Sequence, residues 1–492
     1  METQQGTVLI WVIVFAVDLA IRIAALIVVP RHRKPSSAMA WLLAIFLIPY
    51  IGILFFLLIG SSKLPKKRRA RQAEINRMIA AGARDVPSVP AVDRARWPEW
   101  FDRVVNLNQT LGAMPALGGN RAELVSDYAG SIAGMTSDID TATTFVHVEF
   151  YIVSFDVTTK DFFRAMEQAV ARGVMVRLLL DHIASIRTAG HKETLEELDR
   201  IGVQWSFMLP VQPMKGRWQR PDLRNHRKLV VVDGRVGWMG SQNLIDRSYN
   251  SAKNLKRGLQ WQDLMTRVLG PVVSGLNTVF LSDWYSETDE ILSSEHVPPS
   301  KALFDDSQAA LECQVVPSGP GFEAENNLRL FLTLLYSAQH RVIITSPYFV
   351  PDEAMMYAIT SSCQRGLDVQ LFVSEEGDQG PVFHAQRSYY SELLRAGVRI
   401  FMYPGPFILH AKHLSIDDDT AVIGSSNMDI RSFALDLEVS LLVRGAGFVE
   451  QMRAVEAGYR ERGRELTLDE WEREPLRATA LDGLARLTSA LQ

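Results

Sequence analysis

Two stretches of this 492-residue chain bring together side chains that can attack phosphorus, move a proton and hold an anion. The first reads Asn225-His226-Arg227-Lys228, runs through apolar residues to Asp233, and reaches Gly240-Ser241-Gln242-Asn243. The second reads Leu409-His410-Ala411-Lys412, runs to Asp417, and reaches Gly424-Ser425-Ser426-Asn427. Six defined residues recur, each 184 positions from its counterpart, and nothing else in the chain is as specific. A lone His-x-Lys would mean little; two copies of the whole pattern carry weight. His and Lys two apart on a strand share a face, so each copy presents an imidazole beside an ammonium. Gly-Ser-x-Asn then fits a turn that brings hydroxyl and amide groups to that face. If the copies pack about a pseudo-twofold axis, two His, two Lys and two Asn converge on one cationic pocket. Such a pocket suits a phosphodiester whose negative charge grows in the transition state. One His can attack phosphorus while the other protonates the departing alkoxide and later deprotonates an incoming alcohol. That two-step route allows exchange of one alcohol for another as well as hydrolysis.

The elements that must hold these residues also come twice. In the first copy Thr144 to Val153 reads as a strand, followed by a helical stretch, a strand from Gly173 to Asp181, a helix from Lys192, and a strand after Gly202-Val203. In the second, Arg341 to Val350 and Gly366 to Ser374 play the strands, and Tyr389 to Leu394 the helix before Gly397-Val398. Strands alternating with helices predict an α/β fold, here two α/β domains related by pseudo-twofold symmetry. No metal and no cofactor is expected. His410 and His413 fall on opposite faces of a strand, H-E-x-x-H and paired Cys/His spacings are lacking, and Asp417 to Asp419 lacks the Gly and distal Glu of a calcium loop.

Charge is divided along the chain. Met1 to Ala80 holds 11 Lys and Arg against 3 Asp and Glu, so the remainder holds 41 against 53. An acidic body argues against a general nucleic-acid binder, which needs cations to displace phosphate counterions. The only cysteines, Cys313 and Cys363, are too few for a disulfide framework. Thr7 to Pro30 is apolar apart from Asp18 and Arg22, which are four apart and can pair; Ser37 to Ile59 carries no charge. Both are long enough to cross a bilayer, predicting two transmembrane helices joined by a turn. Three basic residues lie in the turn (Arg31, Arg33, Lys34) and seven follow the second stretch (Lys63, Lys66, Lys67, Arg68, Arg69, Arg71, Arg77), which places the body in the cytoplasm as part of a multi-pass cell-membrane protein. The boundaries expected are 1–62 for the membrane helices, 63–118 for a basic juxtamembrane segment and linker, and 119–300 and 301–492 for the two α/β domains, the second ending in a helix from Leu476 to Leu491.

The duplicated pattern resembles the HKD signature of the phospholipase D superfamily, and the chain from about Pro35 onward is similar to the bacterial cardiolipin synthases. Arg33 to Trp41, Pro49 to Gly52, Ser346 to Asp352, Ser388 to Leu394, Asn427 to Phe433, Trp261-Gln262-Asp263 and Asp283-Trp284 carry that likeness. It implies two phospholipase D-like domains and a transphosphatidylation in which two phosphatidylglycerols yield cardiolipin and glycerol. It makes phosphatidylglycerol and other anionic phospholipids in a bilayer the partners, with no nucleic acid. By analogy His226 is the nucleophile and His410 the general acid and base. Lys228, Lys412, Asn243 and Asn427, with Ser241 and Ser425, match positions that hold the phosphoryl oxygens. Asp233 and Asp417 complete the signature, and Asp263 and Glu438 match carboxylates that orient the imidazoles. Two departures stand out: Met239 where a Gly is common, and Asp436 where an Asn is common. The insert Pro210 to Asn225, with Lys215, Arg217, Arg220 and Arg224, suits a headgroup collector at the pocket mouth, or a plain solvated loop. The alternatives from the same motif are a phospholipase D that passes its phosphatidyl group to water or another alcohol, and a membrane-anchored nuclease. The oligomeric state is not legible.

Overall fold

The computed structural model describes residues 2–31, 33, 35–60, 68–75, 77, 94, 97–112, 114–215, 219–292, 311–322 and 325–487. The expected basic residues Lys34, Lys63, Lys66 and Lys67, the insert residue Arg217 and the side chain of Lys215 lie outside that set. The chain forms two compact units, one of Met1–Leu64 with Arg220–Asp222, the other of Pro65–Gln219 with Leu223–Gln492.

In the first unit a helix spans Glu2–Val28, and its Leu9–Val28 portion is long and apolar enough to cross a membrane. Asp18 and Arg22 form an ion pair on it at 2.8 Å. The second apolar stretch departs from expectation. It is two helices, Pro35–Leu47 and Pro49–Ile59, broken at Ile48. Pro49 lacks an N–H and disfavours helical geometry in the residue before it; Ile48 has φ −136° and ψ 75°. The arms fold back on each other so closely that a Cβ on Gly52 would lie 2.7 Å from Ala44 O and Ile45 Cα. Trp41 packs edge-on against Phe56 at 5.5 Å. At 13 and 11 residues the arms reach about 20 and 16 Å, short of the roughly 30 Å of a hydrocarbon core. The hairpin packs its Ala38, Ile45 and Phe56 with Ile21 and Ala25 of the first helix and with Val29 just after it, and Arg22 lies 5.3 Å over the Phe46 ring.

The second unit is built on one 16-stranded sheet. Its centre is the antiparallel pair Ala116–Val125 and Leu311–Ser318. Outward through the first copy follow Met265–Leu269, Val236–Gly240, Lys228–Val232, Phe145–Phe150, Met175–Asp181 and Gln204–Met208. Outward through the second follow Asp436–Arg444, Thr420–Gly424, His413–Ile416, Arg341–Thr345, Asp368–Ser374 and Arg399–Tyr403, with Arg464–Leu466 added at the edge and the short strand Arg224–Asn225 pairing with Asp436–Arg444 as the sixteenth. Counterparts appear in the same order on both sides, as a pseudo-twofold axis through the central pair requires. The outer strands of each half run parallel and are covered on both faces: every residue of Phe145–Phe150 is buried, His147 and Glu149 included. Separate apolar cores cover the two halves. The helix Glu99–Gly112, within the expected linker, lends Phe101, Val104 and Val105 to the second core. The C-terminal helix, Leu476–Leu487, is tied to the second half by Asp482, which accepts from His384 at 2.7 Å and pairs with Arg387 at 3.3 Å.

Candidate active site

Short strand pairings between the two copies build the site. Arg224–Asn225 lies parallel to Asp436-Leu437, and Phe407–Leu409 lies parallel to Gln260–Gln262. The next backbone bonds, His226 N–H to Leu437 O at 2.9 Å and His410 N–H to Gln262 O at 2.7 Å, continue the register. Each histidine is therefore set beside the residue that follows its partner strand: His226 beside Glu438, and His410 beside Asp263.

The contacts are crossed accordingly. His226 Nδ1 lies 3.0 Å from Glu438 Oε1 and 3.0 Å from Ser425 O. His410 Nδ1 lies 2.6 Å from Asp263 Oδ1. Because each Nδ1 faces only acceptors, it carries a proton, and Nε2 is the nitrogen left for chemistry. The Ser241 hydroxyl donates to Asp263 at 2.7 Å, and the Ser425 hydroxyl donates to Glu438. Glycine at 240 and 424 permits this: a Cβ there would collide with Leu264 O or Val439 O, each the carbonyl of the residue that follows a carboxylate.

Lys228 Nζ donates to His226 O at 2.5 Å, and Lys412 Nζ donates to His410 O at 2.7 Å. Asn243 accepts the Ile152 N–H at 3.2 Å and donates to the Tyr249 hydroxyl at 2.8 Å. Asn427 is buried, and its Oδ1 and Asp263 Oδ2 have no hydrogen-bond partner among the described residues. Burial dominates the electrostatics. It lowers His226 well below the usual imidazole value, helped by Lys228 and Lys412, and with Lys412 brings His410 to about 4. It lowers Lys228 strongly and Lys412 to about 8, and raises Glu438 to about 7. Burial also pushes Asp263 up, but His410 and Lys412 outweigh it and hold that carboxylate below its ordinary value. Burial thus favours the uncharged forms of both lysines and both imidazoles, an effect that a bound anion opposes.

The structure gathers His226, Lys228, Asn243, Asp263, His410, Lys412, Asn427 and Glu438, and separates other expected members. Asp233 and Asp417 stand at the far ends of the His-Lys strands. Asp233 accepts the N–H groups of Thr143, Thr144 and Phe145 at 2.8–2.9 Å. Asp417 accepts those of Gln339, His340 and Arg341 at 2.7–3.0 Å. Each clamps the start of a neighbouring strand rather than facing the pocket. Ser241 and Ser425, expected on phosphate, have committed their hydroxyl protons to the carboxylates. In the insert, Arg224 is not a collector at the mouth: it is buried in a pair with Asp181 at 2.9 Å.

Several residues of the site were not anticipated. Tyr151 packs edge-on to His226 at 5.0 Å, and Tyr249 and Tyr348 flank His410 at 6.4 Å. Asn225 donates to buried Glu149 at 2.9 Å, and Arg227 pairs with Asp283 and donates to Glu438 O at 3.1 Å. One signal was available: Tyr151 and Tyr348 each follow the first parallel strand of their copy by one to three residues.

Comparison with known proteins decides the relationship. The model of the family "Cardiolipin synthase, PLD-like domain" matches residues 135–284 and 331–456. The chain is 31% identical to cardiolipin synthase A of Pectobacterium atrosepticum over 95% of its own length and 96% of that protein's, and 30% identical to cardiolipin synthase A of Proteus mirabilis over 99% of each. The chain belongs to the cardiolipin synthase family of phospholipase D-like proteins. Residues 20–61 match a model described as "Phospholipase_D-nuclease N-terminal". The crystal structure of phosphatidylserine synthase from Haemophilus influenzae superposes with a TM-score of 0.59 at 14% identity, over 79% of this chain and all of that one, so the fold is shared. Set against that family, Met239 is buried on a strand next to Gly240, and the negative charge of Asp436 is matched by Arg431 at 3.2 Å.

Proposed function

We propose that this chain is a phosphatidyltransferase that makes cardiolipin and glycerol from two phosphatidylglycerols. The crossed pairs His226–Glu438 and His410–Asp263 carry the reading, because they aim two Nε2 atoms, from opposite copies, into one pocket that also holds two lysines. His226 is the neutral nucleophile, and His410 enters the step as an imidazolium, protonated on Nε2 as well as on Nδ1, a form the bound anionic phosphate favours: as His226 Nε2 bonds to phosphorus, the bond to the glycerol oxygen breaks, and His410 Nε2 gives that oxygen its proton. In the second step the acceptor hydroxyl passes its proton to His410 while its oxygen attacks phosphorus and the phosphorus–nitrogen bond breaks. The partners favour this division. Asp263 is held ionised 2.6 Å from His410 and supports an imidazolium there, whereas Glu438, raised to about 7, leaves His226 neutral. Lys228, Lys412, Asn243 and Asn427 hold the phosphoryl oxygens, and the anionic substrate favours the charged forms of the two lysines.

For the membrane, the reading is one crossing by the first helix and a hairpin that enters and returns on the same side. No Lys or Arg precedes Arg22, whereas Arg31, Arg33 and Lys34 before the hairpin and the basic run after it then share one face. That arrangement obeys the positive-inside rule without exception and puts the catalytic body in the cytoplasm with the residues before the first helix outside. The reaction is tested by incubating purified protein in phosphatidylglycerol vesicles and measuring products by mass spectrometry beside a His226→Ala control. Equal amounts of cardiolipin and glycerol, absent from the control, support the reading; phosphatidic acid as the main product replaces it with hydrolysis.

A further inference from the structure

Beside the two histidines the copies differ. Two residues before His226 stands Arg224, whose pair with Asp181 fills the corner at the end of the strand Met175–Asp181. Two residues before His410 stands Ile408, and the strand corresponding to Met175–Asp181 ends in Ser374, whose hydroxyl merely accepts the Leu409 N–H at 2.8 Å. That corner keeps a narrow cleft, with room for about one water, lined by Tyr348, Ser374, Glu376, Asp378, Gln379 and Ile408. The Tyr348 ring stands edge-on to His410 at 6.4 Å, its hydroxyl donates to Asp378 at 2.9 Å, and Gln379 Nε2 donates to that hydroxyl at 3.2 Å. A helix of the first copy, Ala252–Arg257, closes the rim with three cations and no acid. Arg257 lies 3.1 Å from Glu376 and from Gly377 O, and Lys253 Nζ lies 3.4 Å from Asp378 O.

We infer that this cleft is the far end of the alcohol subsite, in which Asp378 and Gln379 receive the terminal hydroxyl of a glycerol head group whose other hydroxyl faces His410 across Tyr348, and Lys253 and Arg257 take the phosphate of the acceptor lipid. The inference rests on the transfer reaction proposed above. The alcohol that leaves beside the general acid and the one that later attacks beside it use the same place, by microscopic reversibility. A carboxylate accepts from a hydroxyl and repels a phosphate, so a terminal hydroxyl enters the cleft and a phosphate end stays at the cationic rim. Phosphatidylglycerol offers that order of groups. Water and monohydric alcohols lack the second hydroxyl, and a site built to bond a hydroxyl rejects analogues without it.

The test gives the full-length enzyme in phosphatidylglycerol vesicles two soluble acceptors, labelled glycerol and ethanol, and follows glycerol exchange, phosphatidylethanol and cardiolipin together. Asp378→Asn is expected to lower the glycerol-to-ethanol transfer ratio about tenfold, or about 1.4 kcal/mol. Gln379→Ala lowers it in the same direction should Asp378→Asn fold poorly. The double variant Lys253→Ala/Arg257→Ala raises the KM for cardiolipin formation about fivefold or more while the glycerol-to-ethanol ratio holds. Unchanged ratios and KM values in variants that still transfer overturn the subsite alone. A wild-type enzyme that makes only phosphatidic acid overturns the transfer reading, and the subsite with it.

Discussion

If Asp263 acts through the acid and Glu438 through the nucleophile, the two carboxylates are separable by the quality of the leaving group. Asp263→Asn replaces an ionised acceptor 2.6 Å from His410 Nδ1, and Glu438→Gln replaces a carboxyl, raised by burial to about 7, 3.0 Å from His226 Nδ1. A charge-assisted hydrogen bond is worth about 1.5–3 kcal/mol, so Asp263→Asn, and Glu438→Gln assayed above pH 7 where that carboxyl is ionised, are each expected to slow cardiolipin formation about 10- to 150-fold. The assay compares phosphatidylglycerol with a phosphatidyl ester of p-nitrophenol, whose phenolate departs without a proton. In the burst of nitrophenol, which reports the first step alone, Asp263→Asn recovers to within about threefold of wild type, because the lost acid is no longer needed. Glu438→Gln stays slow, because attack by His226 is still required. Recovery of Glu438→Gln with no recovery of Asp263→Asn would reverse the roles of the histidines, and equal losses with both substrates would refute separate roles.

Other consequences follow from the same geometry. Lys412, brought by burial to about 8, is a cation below that pH and neutral above it; kcat/KM is expected to fall above about pH 8, and Lys412→Arg to move that alkaline limb beyond the measurable range. Asp417→Ala leaves three backbone N–H groups without their acceptor, a loss of about 1–3 kcal/mol, seen as a lower Tm by calorimetry with activity below the transition kept within about threefold. A loss of 100-fold or more in the folded protein would restore Asp417 to the chemistry. Gly52→Leu cannot fit against Ala44 and Ile45; it is expected to open the hairpin, and membrane-impermeant labelling of single cysteines at position 5 and position 62 reads the topology. In intact cells the wild-type protein should label from outside at 5 and not at 62; labelling at neither position would support two crossings instead of one.

The repeated motif was legible because its spacing is constant, and the spacing is constant because both copies lay the same strand and turn against the same neighbour. Asp263 and Glu438 could be named only by resemblance: each serves the histidine of the other copy, and local spacing carries no trace of a pairing 147 or 212 residues long. Asp233 and Asp417 belong to the pattern yet bind backbone, since a repeat records any shared need, structural or chemical. The hairpin escaped a count of apolar residues because hydropathy along Ser37 to Ile59 is unbroken; Pro49 and Gly52 were the signals. The ion pair of Arg224 shows the same limit from the other side, a charged residue in a basic insert being drawn inward by a carboxylate 43 positions away.

Transfer through a histidine requires a covalent step that can be trapped. Wild-type enzyme mixed with phosphatidylglycerol vesicles, quenched within milliseconds in alkali that preserves a phosphorus–nitrogen bond, and mapped by mass spectrometry should carry a glycerophosphoryl adduct, left by the phosphatidyl group after alkaline loss of its acyl chains, on the peptide containing His226. An adduct on His410 alone, or steady cardiolipin formation with no adduct on either histidine, would contradict transfer through His226.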